Sequence, residues 1–143
     1  MRFQHILVPT DFSEGAARAI EVAIGMAIQF DAKLTLLHVL PIPPELEMWS
    51  SEGLAAPIEH MSHAARAELD RVADGLRKRH PKVEIRIGTD SPRDEILAAT
   101  KDIGADLVVM GTHGRRGLAR FLLGSTAESV VRMSDVAVLT VRG

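Results

Sequence analysis

Apolar residues in this chain follow two periods that alternate from end to end. The short runs His5–Pro9, Lys33–Val39, Val83–Ile87, Leu107–Met110 and Val136–Val141 read as strands, and the near-continuous apolar ones among them have the pattern of strands buried on both faces. Between them the spacing changes to three and four. Over Ser13–Phe30, residues Ala16, Ile20, Ala23, Ile24, Ala27 and Ile28 share one face of a helix. Met61, Ala65, Leu69, Val72 and Leu76 do the same over Ile58–His80, where Asp74 and Lys78 stand one turn apart and can pair. Ser91-Pro92 opens a third helix: Ser caps it, Pro fills a first-turn position that needs no N–H, and Gly104 ends it after Asp102. Ser125–Met133 is a fourth, opened by the capping box Ser125-x-x-Glu128. The stretch Leu40–Pro57 carries Pro41, Pro43, Pro44, Trp49 and Gly53, and reads as a long loop.

Strands alternating with helices predict an α/β fold: an open parallel sheet covered by helices on both faces. With 143 residues and no internal repeat, the chain reads as one domain, residues 1–143. Composition then narrows the function. A net charge of −2 lacks the basic footprint of a nucleic-acid binder. Four Phe, one Trp and no Tyr leave little to build a base-stacking platform. No cysteine is present, which removes thiol chemistry and suits a reducing cytoplasm. The first residues enter a strand pattern with no signal peptide, and no apolar run reaches membrane-spanning length, so no membrane association is expected.

Candidate chemistry concentrates in Val108-Val-Met-Gly-Thr-His-Gly-Arg-Arg-Gly-Leu-Ala-Arg-Phe-Leu-Leu-Gly-Ser-Thr-Ala-Glu128. An apolar strand feeds a glycine-bearing loop that ends on Gly124-Ser125 at a helix start. Glycines let backbone N–H groups approach phosphate oxygens, and the helix N-terminus adds donors and partial positive charge. No Lys precedes Ser125, so this is not a P-loop, and the loop lies too late in the chain for a dinucleotide fingerprint. The spacing is Gly111, two residues, Gly114, nine residues, Gly124-Ser125.

That spacing resembles the ATP-binding signature of the universal stress protein family. His5-Ile-Leu-Val-Pro-Thr-Asp-Phe-Ser13, Leu36-Leu-His-Val39, Ala105-Asp-Leu-Val-Val-Met-Gly-Thr112 and Val136-Ala-Val-Leu-Thr-Val141 resemble its first, second, fourth and fifth strands, so the similarity covers nearly the whole chain. The resemblance implies a five-stranded, Rossmann-like sheet of order 3-2-1-4-5. Ligands of open parallel sheets sit beyond the strand C-termini where strand order reverses, here between strands one and four. The resemblance further implies an ATP-binding, stress-response module that acts as a homodimer through the edge strand Val136–Val141. An adenine nucleotide would be held by Pro9, Thr10, Asp11, Val39, Met110, Gly111, Gly114, Arg115, Gly124, Ser125 and Thr126. Val39 would serve adenine through its backbone, and Asp11 the ribose hydroxyls. Asp11 is also the candidate for a divalent cation such as Mg or Mn among the phosphates.

Each residue also has a plainer reading. Asp11 fits an N-cap to the first helix with Glu14 behind it, and Ser125 is already accounted for as a cap. Arg115, Arg116 and Arg120 are phosphate partners or solvated surface charges. Gly117 lies outside the signature. His60 and His63 share a helix face but lack further metal ligands in the pattern. His38 reads as a hydrogen-bonded core residue, and His113 either touches phosphate or faces solvent. No nucleophile elbow and no paired carboxylates are visible, and no dedicated catalysis is expected. The alternatives are a slow ATP hydrolase or phosphotransferase and, more weakly, a flavodoxin-like FMN binder, which the scarcity of aromatics opposes.

Overall fold

The computed structural model describes residues 2–41, 51–113 and 123–142, with the backbone alone over 51–57. Among the described residues, five strands alternate with four helices: β1 (His5–Pro9), α1 (Glu14–Phe30), β2 (Lys33–Val39), α2 (Ser51–Arg77), β3 (Val83–Gly88), α3 (Pro92–Ile103), β4 (Leu107–Gly111), α4 (Ser125–Met133) and β5 (Ala137–Val141). The sheet order is β3-β2-β1-β4-β5 and every pairing is parallel, as the sequence and its resemblance imply.

Register explains why the inner strands β1 and β4 carry apolar residues on both faces. Ile6 pairs with both Leu34 and Leu107, and successive residues alternate faces. Ile6, Val8, Leu34, Leu36, Leu107 and Val109 point to one layer, under α1 and the Leu69, Ala73 and Leu76 stripe of α2. Leu7, Leu37, Val108 and Met110 point to the other, under Ile96 and Ala99 of α3 and Ala127 and Val130 of α4. Each fully buried aliphatic contributes about 1.5–3 kcal/mol. On α1 the small residues Ala19, Ala23 and Ala27 recur every fourth position and are fully buried, which seats the helix close to the sheet.

Helix ends follow local chemistry. Ser13 Oγ accepts from the Ala16 N–H and Ser91 Oγ from the Asp94 N–H, with Pro92 in the first turn. Gly104 closes α3 with a left-handed φ of 68°, where a side chain would be strained.

Four expectations need correction. Helix α2 begins at Ser51 and ends at Arg77, so Ser51–Pro57 belongs to a helix and not to a loop; residues 42–50 lie outside the described residues. Ile28 is 46% exposed, because the last turn of α1 carries it off the buried face. Asp74 pairs with Arg77 at 2.9 Å and not with Lys78; the Arg77 Nε also donates to the Val83 carbonyl, which holds the guanidinium on that side. The N-cap of α4 is Gly124, with no side-chain cap hydrogen bond, so Ser125 is the first helical residue and does not cap. No helix among the described residues is long and apolar enough to cross a membrane.

Candidate functional site

Strands β1 and β4 are neighbours in the sheet but far apart in sequence, and strand order reverses between them. Their C-terminal ends therefore open the crevice where open α/β sheets take ligands. One wall is the turn after β1. Thr10 N–H still bonds to the Leu37 carbonyl, after which the chain leaves the sheet. Thr10 Oγ1 then accepts from the Phe12 N–H at 3.0 Å, and Asp11 Oδ1 accepts from the Ser13 N–H at 3.0 Å. These are side-chain-capped turns of the kind short polar residues form. Phe12, between them, has a φ of 63°, an uncommon left-handed conformation for an aromatic residue. Ser13, and not Asp11, caps α1, which removes the plainer reading of Asp11 as an N-cap.

The other wall is the exit of β4. The Thr112 N–H bonds to the Val141 carbonyl, tying this exit to β5. The Gly124 N–H bonds to the Thr112 carbonyl at 2.7 Å, and the Glu128 N–H returns to the Gly124 carbonyl as α4 begins. The glycine-bearing loop is thus pinched shut at its base, beside the N-terminus of α4. A helix N-terminus presents N–H groups without intrahelical partners and favours anions.

The two walls meet through a seam of bare backbone. A Cβ on Gly15, in the first turn of α1, would stand 2.9 Å from the His113 carbonyl oxygen. One on Gly111 would stand 3.1 Å from the Gly15 carbonyl, and one on Gly124 3.1 Å from the Thr112 carbonyl oxygen. Gly111 and Gly124 therefore have a packing reason to be glycine, besides any ligand. Gly15 belongs to the same seam and was missed from sequence; the available signal was a glycine inside a helix, where it weakens the element by about 0.5–1 kcal/mol relative to Ala.

Pro9, Asp11, Val39 and Gly111 are half-buried at strand ends, and Thr10 is buried. Met110 is buried with its side chain in the α3–α4 core and pairs with Thr140 in the β4–β5 ladder. Ser125 is exposed and Thr126 half-buried at the start of α4. The predicted Gly114, Arg115, Arg116, Gly117 and Arg120 lie outside the described residues. His113 places Nδ1 3.0 Å from Thr112 Oγ1, while its Nε2 is buried with no hydrogen-bond partner. That side chain accordingly does not simply face solvent. His60 and His63 are exposed on α2. Among the described residues no three His, Asp or Glu side chains gather to hold a metal ion.

His38 is buried and hydrogen-bonded, as expected of a core residue, and its Nδ1 lies 2.8 Å from the Thr10 carbonyl oxygen. His5, at the opposite end of the sheet, places Nε2 2.7 Å from Thr35 Oγ1. Burial, then the nearby Lys33 charge, hold the His5 imidazole below its ordinary pKa.

The universal stress protein family model matches residues 2–142. Universal stress protein MJ0531 of Methanocaldococcus jannaschii is 30% identical over 98% of this chain and 82% of its own length. Among solved structures, the universal stress protein UspA from Lactobacillus plantarum superposes with a TM-score of 0.83 at 26% identity, covering 99% of both chains. A universal stress protein crystallised in complex with cAMP gives a TM-score of 0.67 at 28% identity, over 99% of this chain and 98% of its own.

Proposed function

The chain belongs to the universal stress protein family, and from that premise we propose that it binds ATP in the β1–β4 crevice as a cytoplasmic, nucleotide-dependent regulatory module. The observation that carries this reading is the Gly124–Thr112 hydrogen bond, which sets the base of the loop against the start of α4. Phosphates there meet backbone N–H groups from the loop and from Ser125 and Thr126, with Gly111, Gly114 and Gly124 keeping side chains out of the way. Arg115 adds charge. Asp11 accepts from the ribose hydroxyls, while Pro9, Thr10 and Met110 shape the floor and the Val39 backbone reads adenine. A relative in complex with cAMP supports an adenine nucleotide as the ligand class; the loop signature favours the triphosphate. Mg or Mn enters with the phosphates against Asp11.

Binding, not turnover, is the assigned role. Partners read the nucleotide state of a homodimer joined along β5, the edge of the sheet. The test is calorimetric titration with ATP of wild type and Gly114→Val. Gly114 is chosen because the backbone seam constrains Gly111 and Gly124 for reasons of packing. A branched side chain at Gly114 should weaken ATP at least about tenfold, equivalent to about 1.4 kcal/mol. Unchanged affinity rejects the assignment.

A further inference from the structure

Asp11 sits in a strained turn, and one side chain from a neighbouring strand holds that turn from both sides. His38 projects from β2 on the face that α1 covers, and only 8% of it is exposed. Its Nδ1 lies 2.8 Å from the Thr10 carbonyl oxygen. A carbonyl only accepts, so Nδ1 carries the proton and donates. That carbonyl belongs to the peptide unit joining Thr10 to Asp11, so the bond sets the plane from which Asp11 departs. On the far side of Asp11, the Phe12 ring lies 4.6 Å from the His38 ring, centroid to centroid, tilted by 35°. The left-handed φ of 63° at Phe12 is the kind of local strain that persists only where surroundings over-determine it.

We propose that His38 is a positioning residue for the nucleotide site: it clamps Thr10 and Phe12 and so fixes where the Asp11 carboxylate stands. It touches no ligand itself. The inference rests on the ribose-binding role given to Asp11. The two turn hydrogen bonds, Phe12 N–H to Thr10 Oγ1 and Ser13 N–H to Asp11 Oδ1, shape the turn from within. They do not join it to the sheet; the Thr10 N–H to Leu37 bond stops one residue before Asp11. His38 adds a tie from β2 beyond that point.

The experiment is a double-mutant cycle read by calorimetric titration with ATP. His38→Leu removes the donor and keeps an apolar filler; ATP affinity should fall about tenfold, the effect of a buried carbonyl losing its partner. His38→Asn places an amide N–H near the former Nδ1 and should return affinity to within about threefold of wild type. In an Asp11→Asn background, His38→Leu should cost little more, because the group it positions has lost its charge. If His38→Leu leaves ATP affinity unchanged, or its loss adds in full to that of Asp11→Asn, the positioning role is wrong while nucleotide binding stands. Failure of wild type to bind ATP overturns the nucleotide reading and this inference together. Should His38→Leu not fold, Phe12→Gly replaces it: glycine accepts the left-handed φ without strain and removes the stacked ring. Weakened ATP binding by Phe12→Gly supports the clamp, and wild-type affinity overturns it.

Discussion

The Gly15 backbone and the His113 carbonyl approach so closely that a single methyl group between them would stand 2.9 Å from the oxygen. This contact joins the start of α1 to the exit of β4 through backbone alone. Helix propensity alone favours Ala over Gly at a helical position by about 1 kcal/mol. Here the clash is with backbone, which cannot rotate away, so Gly15→Ala should destabilise by about 1–2 kcal/mol net. Thermal unfolding without nucleotide should move down by roughly 2–8 °C for a chain of this size. A higher midpoint means the seam yields and propensity wins.

Asp11→Asn separates ligand binding from turn formation. The amide keeps an oxygen that accepts from the Ser13 N–H, while the cap of α1 resides on Ser13. Midpoints of the nucleotide-free variant should stay within a few degrees of wild type, and ATP affinity should drop. A large loss of stability with affinity intact assigns Asp11 to structure alone.

The β5 edge distinguishes two candidate variants. Val138 packs against the α3–α4 core, so a charge there disturbs folding as well as association. Leu139 is 37% exposed and does not carry that complication. An aliphatic edge strand without Pro or charge invites pairing with a second copy about a two-fold axis. Sedimentation at micromolar concentration should find a dimer of the 15.5 kDa chain, shifted toward monomer by Leu139→Lys. Wild type sedimenting only as monomer rules out edge pairing.

His5 predicts a pH dependence of stability. Its folded-state pKa lies below the ordinary value of about 6.5, chiefly through burial and then through Lys33. Above that ordinary value both states are neutral and stability is complete. As pH falls through it, the unfolded chain takes up a proton that the native state refuses, and stability is lost progressively until the folded pKa is passed. Urea unfolding between pH 7.5 and 5, conditions of the order set by that ordinary value, should slope more steeply for wild type than for His5→Gln. Parallel slopes would remove His5 from the account.

Sheet topology, with the point where strand order reverses, follows from alternating periods and family resemblance, and the structure carries both. What stayed hidden depends on tertiary neighbours. Gly53 and Pro57 break local patterns, yet α2 runs through both from Ser51. Arg77 and Lys78 are both placed by spacing to meet Asp74, and the Val83 carbonyl holds Arg77 there. Gly124 takes the N-cap from Ser125, a one-residue shift that periodicity does not resolve. The left-handed φ at Phe12 and its ring contact with His38 have no signature in one dimension, since Phe12 follows β1 and His38 lies within β2.

The carboxylate of Asp106 accepts both the Gln4 and the His5 N–H, bridging 102 and 101 residues of chain. β1 is the middle strand of the sheet and the earliest to leave the ribosome, yet one of its flanks waits for β4. Folding of this kind is governed by closing large loops, so it belongs to the slower class of small domains. Until Asp106 emerges during synthesis, β1 lacks its β4 neighbour and that aliphatic flank has no native partner. A nascent chain stalled before that residue should be the species that chaperones bind and proteases cut.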